Sequence, residues 1–180
     1  DPYCHSSQNE QDSRRYAQFA RVPCFDPADP QEARDMILRA FALSEEFGVP
    51  VMLRPTTRVS HARADVEVGS PGKRRDEPKF EKNPARRVAL PVHARPLHVE
   101  LLEKQAVIEA ALANDSWNRS EMKGEMGVIA SGISGLYAAE AIAEIEADVS
   151  LLRIGAYPIS RKTVGDFLEG VKRVLVIEEM

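Results

Sequence analysis

Apolar and polar residues follow two distinct rhythms along this chain. Ala33, Met36, Ile37, Ala40, Phe41 and Ser44 recur at helical spacing, with Glu32, Asp35, Arg39 and Glu46 placed mostly outside. Asp29-Pro30-Gln31-Glu32 opens that helix with an acid at the N-cap, proline at the first helical position and glutamate at the third. Gly48 fits its exit. Upstream, residues 12–19 read as a helix with Tyr16, Phe19 and Ala20 on one face, and Pro23-Cys24-Phe25 reads as a short strand. Val51-Met52-Leu53 follows as a buried strand, and so short a β-α-β run predicts parallel pairing. Residues 97–113 predict a further helix, after which Trp117 packs on a neighbour. From residue 127 the rhythm is regular: strand 127–130, helix 134–146, strand 149–154, helix 164–170 and strand 174–177. That is half of an open parallel sheet, an α/β architecture.

Between these halves the chain changes character. Residues 69–98 carry eight basic and three acidic side chains, a net of +5, together with Pro71, Pro78, Pro84, Pro91 and Pro96. The prolines predict neither regular helix nor central strand. Such a stretch is a solvated connector, or a docking surface for an acidic partner. The chain as a whole has 180 residues and a net charge of −4, which argues against general nucleic-acid binding. At 43% hydrophobic and 29% charged it reads as globular, not disordered. No apolar run reaches membrane-spanning length and no stretch reads as a signal peptide, so no membrane association is expected. Two cysteines, Cys4 and Cys24, are too few for a disulfide scaffold, which points to a cytoplasmic setting. The opening at Asp1 and the end directly after a strand suggest a piece of a longer polypeptide.

Candidate chemistry gathers in two loops. Pro55-Thr56-Thr57-Arg58-Val59-Ser60-His61 brings hydroxyls, a guanidinium and an imidazole to the carboxyl end of a strand, the edge where open α/β sheets bind ligands. His5-Ser6-Ser7-Gln8-Asn9-Glu10-Gln11-Asp12 is polar throughout, and Asp12 alternatively caps the next helix. Neither loop has a closed metal-ligand spacing. Ser131-Gly132-Ile133-Ser134-Gly135 lacks both phosphate-loop patterns, and small residues at a tight strand-to-helix turn explain it equally well. Cys4 beside His5 lacks an orienting group and makes a poor nucleophile. The chain has no C-x-x-C, hence no iron–sulfur ligation of its own.

Several collinear runs resemble the large subunit of indolepyruvate:ferredoxin oxidoreductases, of the 2-oxoacid:ferredoxin oxidoreductase family. They are His5 to Arg14, Asp29-Pro30-Gln31-Glu32-Ala33, Pro50 to His61, Val92-His93-Ala94-Arg95, Asn118-Arg119, Gly127 to Ser134 and Val174 to Glu179. Cys4 departs from the family pattern. The resemblance implies a partial pyrimidine-binding-type domain over residues 1–68, a basic connector and helix over 69–125, and part of a transketolase C-terminal-like domain over 126–180. It further implies an enzyme that uses thiamine diphosphate, Mg²⁺ and iron–sulfur clusters to decarboxylate aryl pyruvates oxidatively to aryl-acetyl-coenzyme A. Its partners would be a smaller (beta) subunit, ferredoxin, the 2-oxoacid and coenzyme A. The activating glutamate, the Mg–diphosphate motif and the cluster cysteines are absent from these residues, so neither cofactor nor activity is expected of them alone. Within the resemblance, Ser6, Ser7, Gln8 and Asn9 approach the cofactor, Thr57 and Arg58 hold the substrate, and His61 orients or shuttles a proton. A non-catalytic subunit-interaction module and a non-oxidative thiamine-dependent decarboxylase are the rival readings.

Overall fold

The computed structural model describes residues 9–70 and 80–179. Helix α1 (Arg14–Ala20) leads into β1 (Cys24–Phe25), α2 (Pro30–Phe47) and β2 (Met52–Leu53), then a short α3 (Thr57–His61). Helices α4 (Pro84–Arg87) and α5 (Pro91–Ala113) precede β3 (Arg119–Glu121), β4 (Met126–Ser131), α6 (Ile133–Glu144) and β5 (Val149–Ile154). The described chain closes with β6 (Ala156–Tyr157), α7 (Arg161–Glu169) and β7 (Arg173–Ile177).

The opening signal of α2 works as its residues dictate. Asp29 Oδ1 accepts the Glu32 amide at 2.7 Å, and Glu32 Oε2 reaches back to the Ala28 amide at 3.0 Å. Gly48 ends the helix at φ +61°, a conformation open to glycine without penalty. Strands β1 and β2 pair in parallel, as so short a connection requires. Strand β6 joins the other side of β1 antiparallel, giving the order β2-β1-β6. The second sheet has the order β3-β5-β4-β7, parallel except for the β3 edge. Only Gly155 separates β5 from β6, so one continuous segment serves both sheets. Asn118 holds that bend: its Oδ1 accepts the Gly155 and Ala156 amides at 3.0 and 2.9 Å, while its Nδ2 donates to the Ala156 carbonyl at 2.9 Å.

The main core joins Phe25, Met36, Leu43, Ile108, Leu112 and Ala156, drawn from β1, α2, α5 and β6. Trp117 meets the Phe25 ring edge-on at 6.3 Å, the neighbour its size required. Two expected apolar faces differ. On α1, Arg14 and Ala17 are buried while Phe19 is 90% exposed. On α2, Met36, Ala40 and Leu43 face inward while Phe41 is 68% exposed. Glu32, expected outside, instead accepts Arg119 at 3.1 Å and Arg153 at 3.0 Å, tying α2 to the second sheet.

The proline-rich stretch also corrects an expectation. Helix α5 starts at Pro91 and runs through Pro96, six residues before the apolar rhythm begins at Leu97. Proline at the first position forfeits no helical hydrogen bond. Pro96 loses one, to the Val92 carbonyl, in turns that lie largely in solvent. Pro84 begins α4 in the same way, behind Asn83, whose side chain accepts the Arg86 amide. Part of this stretch, 71–79, lies outside the described residues.

Gly132, between β4 and α6, has φ +50° and ψ −133°, and a Cβ there would sit 2.8 Å from Asp26 Oδ1. Gly132→Ala is expected to lower folding stability by about 2 kcal/mol, read from urea unfolding midpoints. A loss below about 0.5 kcal/mol would mean the turn relaxes freely.

Candidate functional site

Ends of strands from both sheets converge on a cluster of charged side chains. Asp26 follows β1 and Arg54 follows β2; both belong to the interior, at 1% and 5% exposure. Arg54 Nη1 donates to both Asp26 oxygens at 3.1 Å, and its Nε donates to Ser13 Oγ at 3.2 Å. Two charges can be buried this way only because each satisfies the other. Asp26 also packs against Gly132 at the start of α6. A carboxylate thus already faces that turn, and its close approach explains Gly132.

Arg14 is the second hub. Its Nε and Nη2 donate to the two Asp12 oxygens at 2.7 and 3.1 Å. Its Nη1 donates to Ser131 Oγ, Tyr157 Oη and Glu178 Oε1 at 2.9, 3.2 and 3.1 Å. Those acceptors lie at the ends of β4, β6 and β7, so one guanidinium pins three strands. Its carbon also lies 5.8 Å from the centre of the Tyr157 ring.

Burial sets the electrostatics of this cluster. It raises the Asp26 carboxyl to about 6, against the opposing pull of Arg54 and Arg14. Burial likewise raises the Tyr157 phenol. It pushes the Cys24 thiol up to about 12, with Asp26 adding to the effect, so this cysteine is no nucleophile. Burial also pushes up on Asp12, yet the hydrogen bonds and charge of Arg14 outweigh it and hold the group below its ordinary value.

The loop after β2 carries the residues that drew attention in the sequence. Thr56 caps α3 with its hydroxyl buried, Val59 anchors the turn, and neither the Thr56 hydroxyl nor the buried Arg54 Nη2 has a partner among the described residues. Thr57, Arg58 and His61 all lie on α3, with Arg58 and His61 three residues apart and both exposed. Arg58 Nε donates to Glu179 Oε1, just beyond β7, and that carboxylate raises the guanidinium further. The second oxygen of Glu179 is buried without a partner among the described residues. Ser6, Ser7 and Gln8 lie outside the described residues, as does Cys4; Asn9 is exposed ahead of α1. The structure therefore groups Thr57, Arg58 and His61 and adds Glu179. Glu178, next in the chain to Glu179, ties that group to Arg14 and its network. No helix among the described residues is long and apolar enough to cross a membrane.

No family model matches the chain. Curated relatives match it from end to end. The chain is 43% identical over 184 residues to indolepyruvate oxidoreductase subunit IorA of Methanothermobacter thermautotrophicus, and 44% identical over 190 residues to that of Thermococcus kodakarensis. The subunit of Archaeoglobus fulgidus is 39% identical over 183 residues. All of this chain is covered in each case, but only 30%, 29% and 29% of the relatives. Among solved structures, a 2-oxoglutarate:ferredoxin oxidoreductase from Magnetococcus marinus matches 86% of this chain and 34% of its own. With a TM-score of 0.56 and 12% identity, it shares the fold. Over its whole length, at 39–44% identity, the chain matches an internal segment of indolepyruvate oxidoreductase IorA subunits that makes up about 30% of their length.

Proposed function

We propose that the full-length protein is a 2-oxoacid:ferredoxin oxidoreductase of the indolepyruvate type, which decarboxylates aryl pyruvates oxidatively to aryl-acetyl-coenzyme A and passes the electrons to ferredoxin. The end-to-end match to IorA subunits carries this reading. A smaller beta subunit would complete the assembly. Residues 1–68 would then form the back half of a pyrimidine-binding-type unit and 126–180 part of a transketolase C-terminal-like one, joined by 69–125.

Among the described residues no three His, Cys, Asp or Glu side chains gather into a cation site. Mg²⁺ with thiamine diphosphate, and the iron–sulfur clusters, would be held by other parts of the full-length polypeptide, where the resemblance puts their motifs. What this chain contributes is substrate handling. Arg58 offers a guanidinium suited to the carboxylate of a 2-oxoacid, which it grips by two parallel hydrogen bonds. Thr57 adds a hydroxyl on the same turn. His61, one helical turn along, is placed to orient the substrate or move a proton. Ser6, Ser7, Gln8 and Asn9 would lie toward the cofactor side.

The test is to purify the intact protein with its partner subunit and follow ferredoxin reduction. The expected result is reduction that needs both indolepyruvate and coenzyme A, with pyruvate and 2-oxoglutarate poorer substrates. Aldehyde release without ferredoxin reduction would make the enzyme a non-oxidative decarboxylase.

A further inference from the structure

A concavity borders the Arg14 cluster, between α1, α5 and the segment joining β6 to α7. Its volume is about 680 Å³, within the roughly 300–1,000 Å³ usual for small-molecule sites. Two of the acids at its edge, Asp12 and Glu178, are already taken up by Arg14. Arg21, at the end of α1, and Arg161, at the start of α7, both line it and are exposed, with no carboxylate partner among the described residues. Arg15 also lines the concavity, 76% exposed, 3.7 Å from the Asp12 carboxylate and donating to Gln18 Oε1 at 3.4 Å. Between these charges the wall is aliphatic, from Val22, Pro158 and Ile159.

Arg21 has a further peculiarity. It ends α1 at φ +56°, in the left-handed region where glycine is the ordinary choice. Its backbone is held there by Gln105, whose Nε2 donates to the Arg21 carbonyl at 3.0 Å. The side chain is thereby projected from a braced position instead of a fraying end. Two guanidiniums without a carboxylate partner among the described residues, and a third paired only at 3.7 Å, stand beside an aliphatic wall and match a ligand with clustered negative charge at one end and a flat apolar body at the other. Glu109, on α5, is the remaining acid of the lining, suited to accept from an amino or ribose hydroxyl group.

We propose that this cleft binds a nucleotide through its diphosphate, with Arg15, Arg21 and Arg161 on the phosphates and the base against Val22, Pro158 and Ile159. The assignment does not depend on the activity proposed above. The experiment is calorimetric titration of the intact protein with ADP, with inorganic pyrophosphate and with coenzyme A. ADP is expected to bind with affinity that falls as salt is raised. Arg21→Ala/Arg161→Ala should weaken it by tenfold or more. Lys172→Ala, which removes an ammonium paired with Glu125 outside the cleft, should leave it unchanged. ADP that coenzyme A fails to displace identifies a free nucleotide as the ligand, whereas displacement identifies the nucleotide end of the coenzyme. Pyrophosphate as tight as ADP, or ADP affinity indifferent to the double substitution, overturns the proposal.

Discussion

Arg54→Ala is expected to lower folding stability by about 3–5 kcal/mol at pH 7.5, the largest single-residue effect in this chain. The substitution removes the guanidinium that satisfies both Asp26 oxygens and leaves a carboxylate buried at 1% exposure. Urea unfolding at several pH values checks both the size of the loss and its cause. Burial holds the Asp26 carboxyl at about 6 in the folded chain, against 3.8 for the free group. The folded state therefore keeps a proton that the unfolded chain has released. Stability from this group is fully present below about pH 4 and is lost as the pH rises through 6. Since Arg54 pulls the group down, its removal moves that window upward. The variant should regain part of its stability on acidification from pH 7.5 to 5, in excess of wild type. Asp12 acts in the opposite sense: held low by Arg14, it contributes stability above 3.8 that fades as the pH falls further. If Arg54→Ala proves too unstable to fold, Asp26→Leu/Arg54→Met removes both charges at similar volume. It should lie closer to wild type than either single variant. A loss below 1 kcal/mol for Arg54→Ala, or no recovery in acid, would sink this account of the cluster.

That cluster was the part of the molecule least visible in the sequence. Arg14, Asp26 and Arg54 are charged, and charged residues read as solvated unless a partner is known. The partners stand far apart in the chain: 28 residues separate Asp26 from Arg54, and 117 separate Arg14 from Ser131. A usable signal did exist. Asp26 and Arg54 each directly follow an apolar pair that forms a strand, Cys24–Phe25 and Met52–Leu53. A charge so placed must either leave the core at once or be paired inside it. Tertiary context also overrode the helical faces of α1 and α2, where Phe19 and Phe41 stay outside while Glu32 turns in.

Local patterns were legible where one element's chemistry decided the outcome. The Asp29 cap, the Gly48 exit, the parallel β1–β2 pair and the β4-α6-β5-α7-β7 succession all follow from residues a few positions apart. Strands β3 and β6 do not. Arg119-Ser120-Glu121 is exposed throughout and has no apolar alternation, while Ala156–Tyr157 is two residues long. Each is a strand only because a neighbour supplies the ladder. The loop from Pro55 to His61 was singled out by residue type alone. Its pairing with Glu179 could not be, because the end of β7 meets α3 only through the fold.

That pairing shapes the other large effect. Arg58→Ala in the intact enzyme is expected to raise the Michaelis constant for indolepyruvate about 10- to 100-fold, the worth of a charge-assisted bidentate contact. Arg58 is 51% exposed and α3 is anchored by Val59, not by Arg58, so stability should change little. Glu179 makes the reading sharper, because its carboxylate already takes the Arg58 Nε, one of the two donors of a side-on grip on a substrate carboxylate. Binding through that edge must then displace a resident anion. Glu179→Gln removes that competitor, and an ion pair this exposed is worth about 0.2–1 kcal/mol. The Michaelis constant should therefore fall, by up to about fivefold. If Glu179 instead served to orient Arg58 for the substrate, the same substitution would raise it. In the double variant Arg58→Ala/Glu179→Gln the benefit of the glutamine should vanish, since no guanidinium remains to be freed. An Arg58→Ala enzyme whose Michaelis constant is unchanged would remove Arg58 from the substrate site and leave the pair with Glu179 a purely structural tie between α3 and β7.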